Sequence, residues 1–259
     1  MKILIIGYGY VGKAVANALN YNHDLVIVDP KYTTEQIADH PDAEAAIVCV
    51  PTPYIEQGGC DATILCDVLD QIPLQVPVLI KSTVTPAVVE AFEGMFKDHW
   101  IVYSPEFLRA RTANQDFYNQ QYIVLGGEDD DCYWQDLLQG SLPNCRMVFN
   151  CTAKEAALIK YASNSFLALK TSYFNQLYDL CQADGMDFDA VRQILAQDTR
   201  IGNDHTMVPG MDGLRGWGGH CFPKDTKTFI KYSHSLNTPV TLVESAVEYN
   251  KKVRKDLDK

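Results

Sequence analysis

The chain has 259 residues, 47% of them hydrophobic, enough to bury one large core or two modest ones without disulfide support. A formal charge of −11 repels phosphate, which excludes nonspecific binding to nucleic acid or anionic membrane and leaves any phosphate-bearing ligand to local donors. Eight cysteines include no Cys-x-x-Cys pair, and no histidine cluster stands at metal-ligand spacing, so reduced thiols and no metal site are expected.

The apolar run after Met1 is cut by a glycine-rich turn, too early for a secretory signal or a membrane span, so the expectation is a cytoplasmic protein without a membrane partner. Short β-branched runs at 2–6, 25–28, 46–50, 78–81, 101–103 and 122–125 alternate with stretches of helical period, the pattern of a parallel sheet with crossover helices. Asp61 is placed to cap one of these helices, and Thr85 followed by Pro86 reads as the N-cap and first position of the next. The acidic run 128–131 reads as a solvated helix start.

After Asn150 the strand pattern stops. Apolar residues at Ala156, Ile159, Phe166, Leu169, Phe174, Leu177 and Leu180 keep helical spacing from Thr152 to about Ala183, with Gly185 as the stop. Asp187 is placed to cap a shorter helix through Leu195. A glycine-rich stretch over 202–219 then precedes two more helices, the last from about Val240 to the end. The expected fold class is α/β, a Rossmann-type parallel sheet domain over 1–150 followed by an all-α domain over 151–259 with a long central helix.

Gly7-Tyr8-Gly9-Tyr10-Val11-Gly12 follows the first strand and opens a helix. The first glycine permits a tight turn, the second lets a pyrophosphate approach the backbone, and the third lets helix pack on strand. Asp29 ends the second strand, where a carboxylate accepts hydrogen bonds from ribose hydroxyls and repels a 2′-phosphate, so the cofactor expected is NAD rather than NADP.

Lys160 and Asn164 stand four apart in the long helix, on one face. A lysine there suits proton transfer or oxyanion stabilisation and an amide suits positioning, although the pair taken alone is better explained by the polar stripe of an amphipathic helix. In Gly218-Gly219-His220-Cys221-Phe222-Pro223-Lys224-Asp225 one cysteine sits between glycines and a proline, read as a loop that presents a thiol. The other seven cysteines read as small buried hydrophobes, the histidines receive no role, and Asp116 and Phe117 read as ordinary loop residues.

These residues carry a resemblance to the UDP-glucose/GDP-mannose dehydrogenase family. Its motifs run in order through Gly7–Gly12, Val50-Pro51-Thr52-Pro53, Lys81-Ser82-Thr83-Val84, Ser104-Pro105-Glu106-Phe107-Leu108-Arg109, Lys160-x-x-x-Asn164-x-Phe166-Leu167-Ala168, Arg200-Ile201-Gly202 and the Cys221 block. The resemblance implies that a nucleotide-sugar C6 alcohol, most simply that of UDP-glucose, becomes a carboxylate in two hydride transfers to NAD. It implies that Cys221 is the nucleophile, that Lys160 and Asn164 steady oxyanions and that Asp225 organises water. Glu106 would serve acid/base steps and Thr83 would contact the catalytic water. It further implies that Pro51, Thr52 and Thr83 contact the cofactor, while Glu106, Phe107, Leu108, Arg109, Lys160, Asn164, Arg200 and Gly218 contact the sugar nucleotide, with a structural salt bridge as the other reading of Arg200. A homodimer through the helical region is implied as well.

The sequence departs from the family at Ala110, where a second acid is usual, at Trp217, where Phe or Tyr is usual, and in the short connection from Asp29 to Val50. It ends at Lys259, after what resembles the helix leading to the family's C-terminal nucleotide-binding domain. Two further readings stand beside this one: a two-electron enzyme resembling β-hydroxyacid dehydrogenases, which would not need Cys221, and an NAD-binding fragment or relic needing a partner for activity.

Overall fold

The computed structural model describes residues 1–56 and 59–255. The chain divides into two compact units, one of residues 1–55 and 60–160, the other of 56–59 and 161–259.

The first unit is built on a seven-stranded sheet of order β2-β1-β3-β4-β5-β6-β7. Its strands are β1 (Lys2–Ile6), β2 (Asp24–Val28), β3 (Ala45–Val48), β4 (Val78–Ile80), β5 (Ile101–Tyr103), β6 (Tyr122–Gly126) and β7 (Met147–Cys151). The expected parallel sheet is present with one exception: β5 and β6 run antiparallel, through Tyr103 and Gly126. Strand β7 was not among the six read from sequence. It is an edge strand whose residues are exposed or half-buried, although Met147, Val148 and Phe149 are apolar.

The inner strands are apolar throughout because both faces are covered. Leu4, Ile6, Ala46, Val48, Val78 and Ile80 enter one buried cluster, while Ile3, Ile5, Ala45, Ile47 and Leu79 enter a second. Alternate side chains of one strand point to opposite faces, so the two clusters are the two sides of the sheet. The covering helices are α1 (Tyr10–Leu19), α2 (Thr63–Leu69), α3 (Pro86–Met95), α4 (Ala113–Tyr118) and α5 (Tyr133–Ser141). Between β2 and β3 only a single 3-10 turn, Ile37–Asp39, stands in place of a crossover helix, in keeping with the short connection. Thr85 caps α3 by accepting from the Val88 amide at 3.2 Å, with Pro86 behind it. Asp61 accepts from the Thr63 amide at 2.9 Å, and Asp129 from the Trp134 and Gln135 amides at the start of α5.

Helix α6 (Ala153–Ala183) begins in the first unit and continues through the second, which adds α7 (Phe188–Leu195), α8 (Cys221–Ser235) and α9 (Thr241–Val253). The expected continuation of the last helix over 256–259 lies outside the described residues. Asp187 caps α7, accepting from the Asp189 and Ala190 amides. The apolar positions of α6 do not form one buried face: Ala156 is fully buried, yet Phe166 is 62% and Leu180 58% exposed. The buried apolar cluster of this unit is small, centred on Phe174, Cys181, Phe188 and Val208. Among the described residues no helix is long and apolar enough to cross a membrane.

Candidate active site

Strand β1 lies between β2 and β3, so the chain leaves it towards opposite sides of the sheet, the switch point at which open α/β sheets bind ligands. The turn of residues 7–12 sits there, and its three glycines do three jobs. Gly7 has φ +90°, and a Cβ on it would meet the Cys49 carbonyl oxygen at 2.7 Å. A Cβ on Gly12 would press into the Gly7 carbonyl, whereas a Cβ on Gly9 would meet nothing within 4 Å. The open position is the one a pyrophosphate approaches. Helix α1 has no side-chain cap and no acidic residue in its first turn, so its leading amides are available to an anion. Asp29 accepts from the Tyr8 amide at 2.6 Å and the Lys31 amide at 2.9 Å. That fixes a carboxylate beside the turn with lone pairs left over for ribose hydroxyls. The turn therefore fits a dinucleotide.

In the same unit, Thr52 donates to the Thr83 carbonyl at 2.5 Å and Ser82 to the Val50 carbonyl at 2.8 Å, tying the two motif loops that follow β3 and β4. Lys81 is buried and donates to Ser104 Oγ at 2.9 Å. Burial pushes its ammonium down to about 8, against the opposing influence of Cys49 and Glu106. The Cys49 thiol is pushed up to about 12 by the same burial. Glu106 and Lys160 form a buried ion pair at 3.2 Å, each side chain 3% exposed. The Lys160 ammonium also donates to the Glu106 carbonyl, and the Glu106 carboxylate accepts from the Leu108 amide at 2.6 Å. Among the described residues the donors to the carboxylate are Leu108 of the motif and Lys160 of α6.

Arg109 is not free. Its backbone amide and guanidinium donate to Asp116, which also accepts from Thr112 Oγ1. The arginine holds the Asp116 carboxyl down at about 2. Asp116 and Phe117, read from sequence as ordinary loop residues, stand in α4. The first locks the Ser104–Arg109 segment and the second is fully buried. The sequence concealed this because an aspartate seven residues from its arginine leaves no periodic trace.

In the second unit Cys221 is not in a loop but at the first position of α8. Gly219, at φ +77°, ends the preceding turn, and Pro223 falls within the first helical turn, where its missing N–H costs no intrahelical bond. One turn on, the Asp225 carboxylate is 1% exposed and accepts from Asn164 Nδ2 at 2.6 Å and Lys224 Nζ at 2.6 Å. Arg200 pairs with Asp198 and leaves its side chain 87% exposed.

Sequence reasoning missed the residues that hold the Cys221 turn. The Asn250 amide accepts from the Trp217 N–H at 2.9 Å and donates to the Trp217 carbonyl at 2.8 Å, and it is completely buried. Asn175 accepts from the Gly216 amide at 3.0 Å, and the Trp217 indole donates to Ser172 at 2.9 Å. Gly216 and Gly218 carry no Cβ because Asn250 and the Arg254 guanidinium fill that space. The signal in the sequence was an asparagine on the buried face of each of two amphipathic helices. Among the described residues no group of three or more His, Cys, Asp or Glu side chains is placed to hold a metal ion, and all eight cysteines are free thiols.

Comparison with known proteins bears on this arrangement. Residues 31–139 match the NAD binding domain of the UDP-glucose/GDP-mannose dehydrogenase family, and residues 154–252 match that family's central domain. A UDP-glucose 6-dehydrogenase of Haloferax volcanii is 31% identical over 96% of this chain and 69% of its own length. A UDP-glucose 6-dehydrogenase of Streptococcus pneumoniae is 29% identical over 99% of this chain and 74% of its own. Against one Bacillus subtilis relative the chain spans only 48% of the relative's length. In fold it is similar to a UDP-glucose dehydrogenase from Pyrobaculum islandicum, with TM-score 0.84, 24% identity, and coverage of 97% of this chain and 68% of that one. It is also similar to a 3-hydroxyisobutyrate dehydrogenase of Mycobacterium tuberculosis, with TM-score 0.75, 16% identity, and coverage of 97% and 93%. The dinucleotide turn, the motif loops and these matches together make the chain a member of the UDP-glucose/GDP-mannose dehydrogenase family, an NAD-dependent nucleotide-sugar dehydrogenase.

Proposed function

We propose that the chain oxidises the C6 alcohol of a nucleotide sugar, UDP-glucose before others, to the uronic acid through a covalent intermediate on Cys221. The observation that carries this reading is the buried Asp225 carboxylate, one helical turn from the thiol and held by Asn164 and Lys224. The names of the Haloferax and Streptococcus relatives support the substrate.

The residue 7–12 turn and Asp29 would hold NAD, which would supply the hydride acceptor. Pro51, Thr52 and Thr83 would border it, and Thr83 would contact the catalytic water. In the first oxidation the sugar alcohol loses a hydride and a proton to become an aldehyde. Cys221 Sγ then adds to the aldehyde carbon, a C–S bond forming as the carbonyl oxygen takes a proton. That carbon then loses a hydride to a second NAD while its hydroxyl gives up a proton, leaving a thioester, and water cleaves the C–S bond to give the acid as the sulfur regains its proton. Asp225 orients that water. Lys160 and Asn164 stabilise the oxyanions that form at each addition, and Glu106, held by Lys160, serves the proton transfers. Phe107, Leu108, Arg109, Arg200 and Gly218 contribute to holding the sugar nucleotide. Residues 1–150 act as the NAD domain and 151–259 as the helical domain carrying the thiol.

The same reading includes a homodimer. Ile159, Phe166, Tyr173 and Leu180 recur every seven residues along α6 and are 40%, 62%, 58% and 58% exposed, an apolar stripe at heptad spacing that a second copy would cover.

The test is NADH absorbance with purified protein, NAD and UDP-glucose beside a panel of other nucleotide sugars. About two NADH per sugar, with the uronic acid as product, is expected from the mechanism above. No NADH from any sugar despite NAD binding contradicts it, and about one NADH that survives Cys221→Ala marks a two-electron enzyme instead.

A further inference from the structure

A cavity of about 240 Å³ lies in the second unit between α8 and α9, lined among others by Trp217, Pro223, Lys227, Asn250, Lys251 and Arg254. It is not the face of α8 that carries the reaction. At 3.6 residues per turn, Pro223 and Lys227 project roughly 200–240° around the helix from Cys221, away from Asp225. Among the described residues three cations line the cavity and no carboxylate does. Lys251 pairs with Glu248 at 2.6 Å and Arg254 with Asp212 at 2.8 Å, and both acids stand outside the lining.

The charge is out of character for the chain. Residues 221–255 contain seven lysines and arginines against three carboxylates, in a protein of net charge −11. Lys227 and Lys251 are exposed, whereas Arg254 is 6% exposed with its guanidinium laid against the Gly218 backbone, a fixed planar donor at the base of the cavity. With ~30 Å³ per water, the space holds several waters or one small polyanion.

We propose that this cavity is a binding site for a phosphate-class anion about the size of pyrophosphate, separate from the dinucleotide turn. Arg254 meets the anion with its guanidinium and the two lysines close over it as point charges. Trp217 and Asn250, which hold the backbone before Cys221, form the cavity wall. Occupancy therefore bears on the same turn that presents the thiol.

The experiment is calorimetric titration of the full chain with inorganic pyrophosphate, in saturating NAD so that the residue 7–12 turn is filled. Saturable binding that weakens as salt rises is expected. The double variant Lys227→Glu/Lys251→Glu should bind at least tenfold more weakly while its circular dichroism and melting temperature stay native. The neutral variant Lys227→Gln/Lys251→Gln should fall between the two, which separates lost charge from damaged fold. Exchange of Lys97, a cation of the first unit, for Glu should change nothing. Absence of pyrophosphate binding by the native chain, or equal affinity in the native chain and the charge-reversed variant, overturns the proposal.

Discussion

The two units hold their functional groups by different means. In the first, position follows from backbone: a sheet with both faces buried carries the glycine turn and the motif loops at strand ends, and two large apolar clusters supply the cohesion. In the second, the apolar cluster is small, and side-chain amides take over. Asn164 holds Asp225, Asn175 holds Gly216, and Asn250 holds both backbone groups of Trp217. A sheet tolerates loss of one hydrogen bond among many. A turn held by two asparagines does not, so single polar substitutions should separate the units sharply.

The largest effect is expected where the first unit breaks its own rule and buries charge. Lys160→Met strands the Glu106 carboxylate in an apolar setting and should cost about 3–5 kcal/mol in urea denaturation. Lys160→Met/Glu106→Gln together should recover much of that. A double variant no more stable than Lys160→Met alone would show that the pair is not coupled.

Asn250→Ala leaves the Trp217 N–H and carbonyl buried without partners and should cost about 2–4 kcal/mol. Its more telling consequence is local: alkylation of Cys221 by iodoacetamide should change rate at temperatures where the variant is still folded. Native reactivity at Cys221 in a folded Asn250→Ala protein would mean that the clamp does not govern the thiol.

The smallest effect concerns Lys81. Its folded value of about 8 lies below the usual lysine value of ~10.4, so the unfolded chain binds the proton more tightly. The cost of the buried charge is fully present below about pH 8 and is relieved as pH rises through it. Relative to Lys81→Met, the native chain should gain about 1 kcal/mol between about pH 7 and pH 9. Comparing the two variants by denaturation removes the opposite trend from Cys49, whose unfolded thiol ionises near ~8.5 while the folded one stays protonated.

The same contrast explains what was legible in the sequence. Strands β1 to β6, the glycine turn, Asp29 and the Thr85 cap follow from local periodicity and turn chemistry, and each is present. Strand β7 escaped although Met147, Val148 and Phe149 are apolar, because three such residues beside the long helix do not by themselves distinguish a strand. Asp116, Asn175 and Asn250 escaped because their partners lie 7, 41 and 33 residues away, distances at which spacing says nothing. Cys221 was found as chemistry but placed in a loop. Glycines before it and a proline after it suggest irregular backbone, yet a proline in a first turn is compatible with helix. The partnership of Lys160 with Glu106 was not foreseen either, although both residues were singled out.

The central claim, that Cys221 carries the substrate between the two oxidations, is most directly tested by intact-protein mass measurement after acid quenching during turnover with NAD and UDP-glucose. Asp225→Asn should slow release of the acid and enrich the intermediate. The account predicts a mass increase equal to the bound sugar-nucleotide acyl group, mapped to the peptide containing Cys221 and absent from Cys221→Ala. A Cys221→Ala protein that still turns UDP-glucose into the uronic acid at the native rate, with no adduct on the native chain, would contradict it.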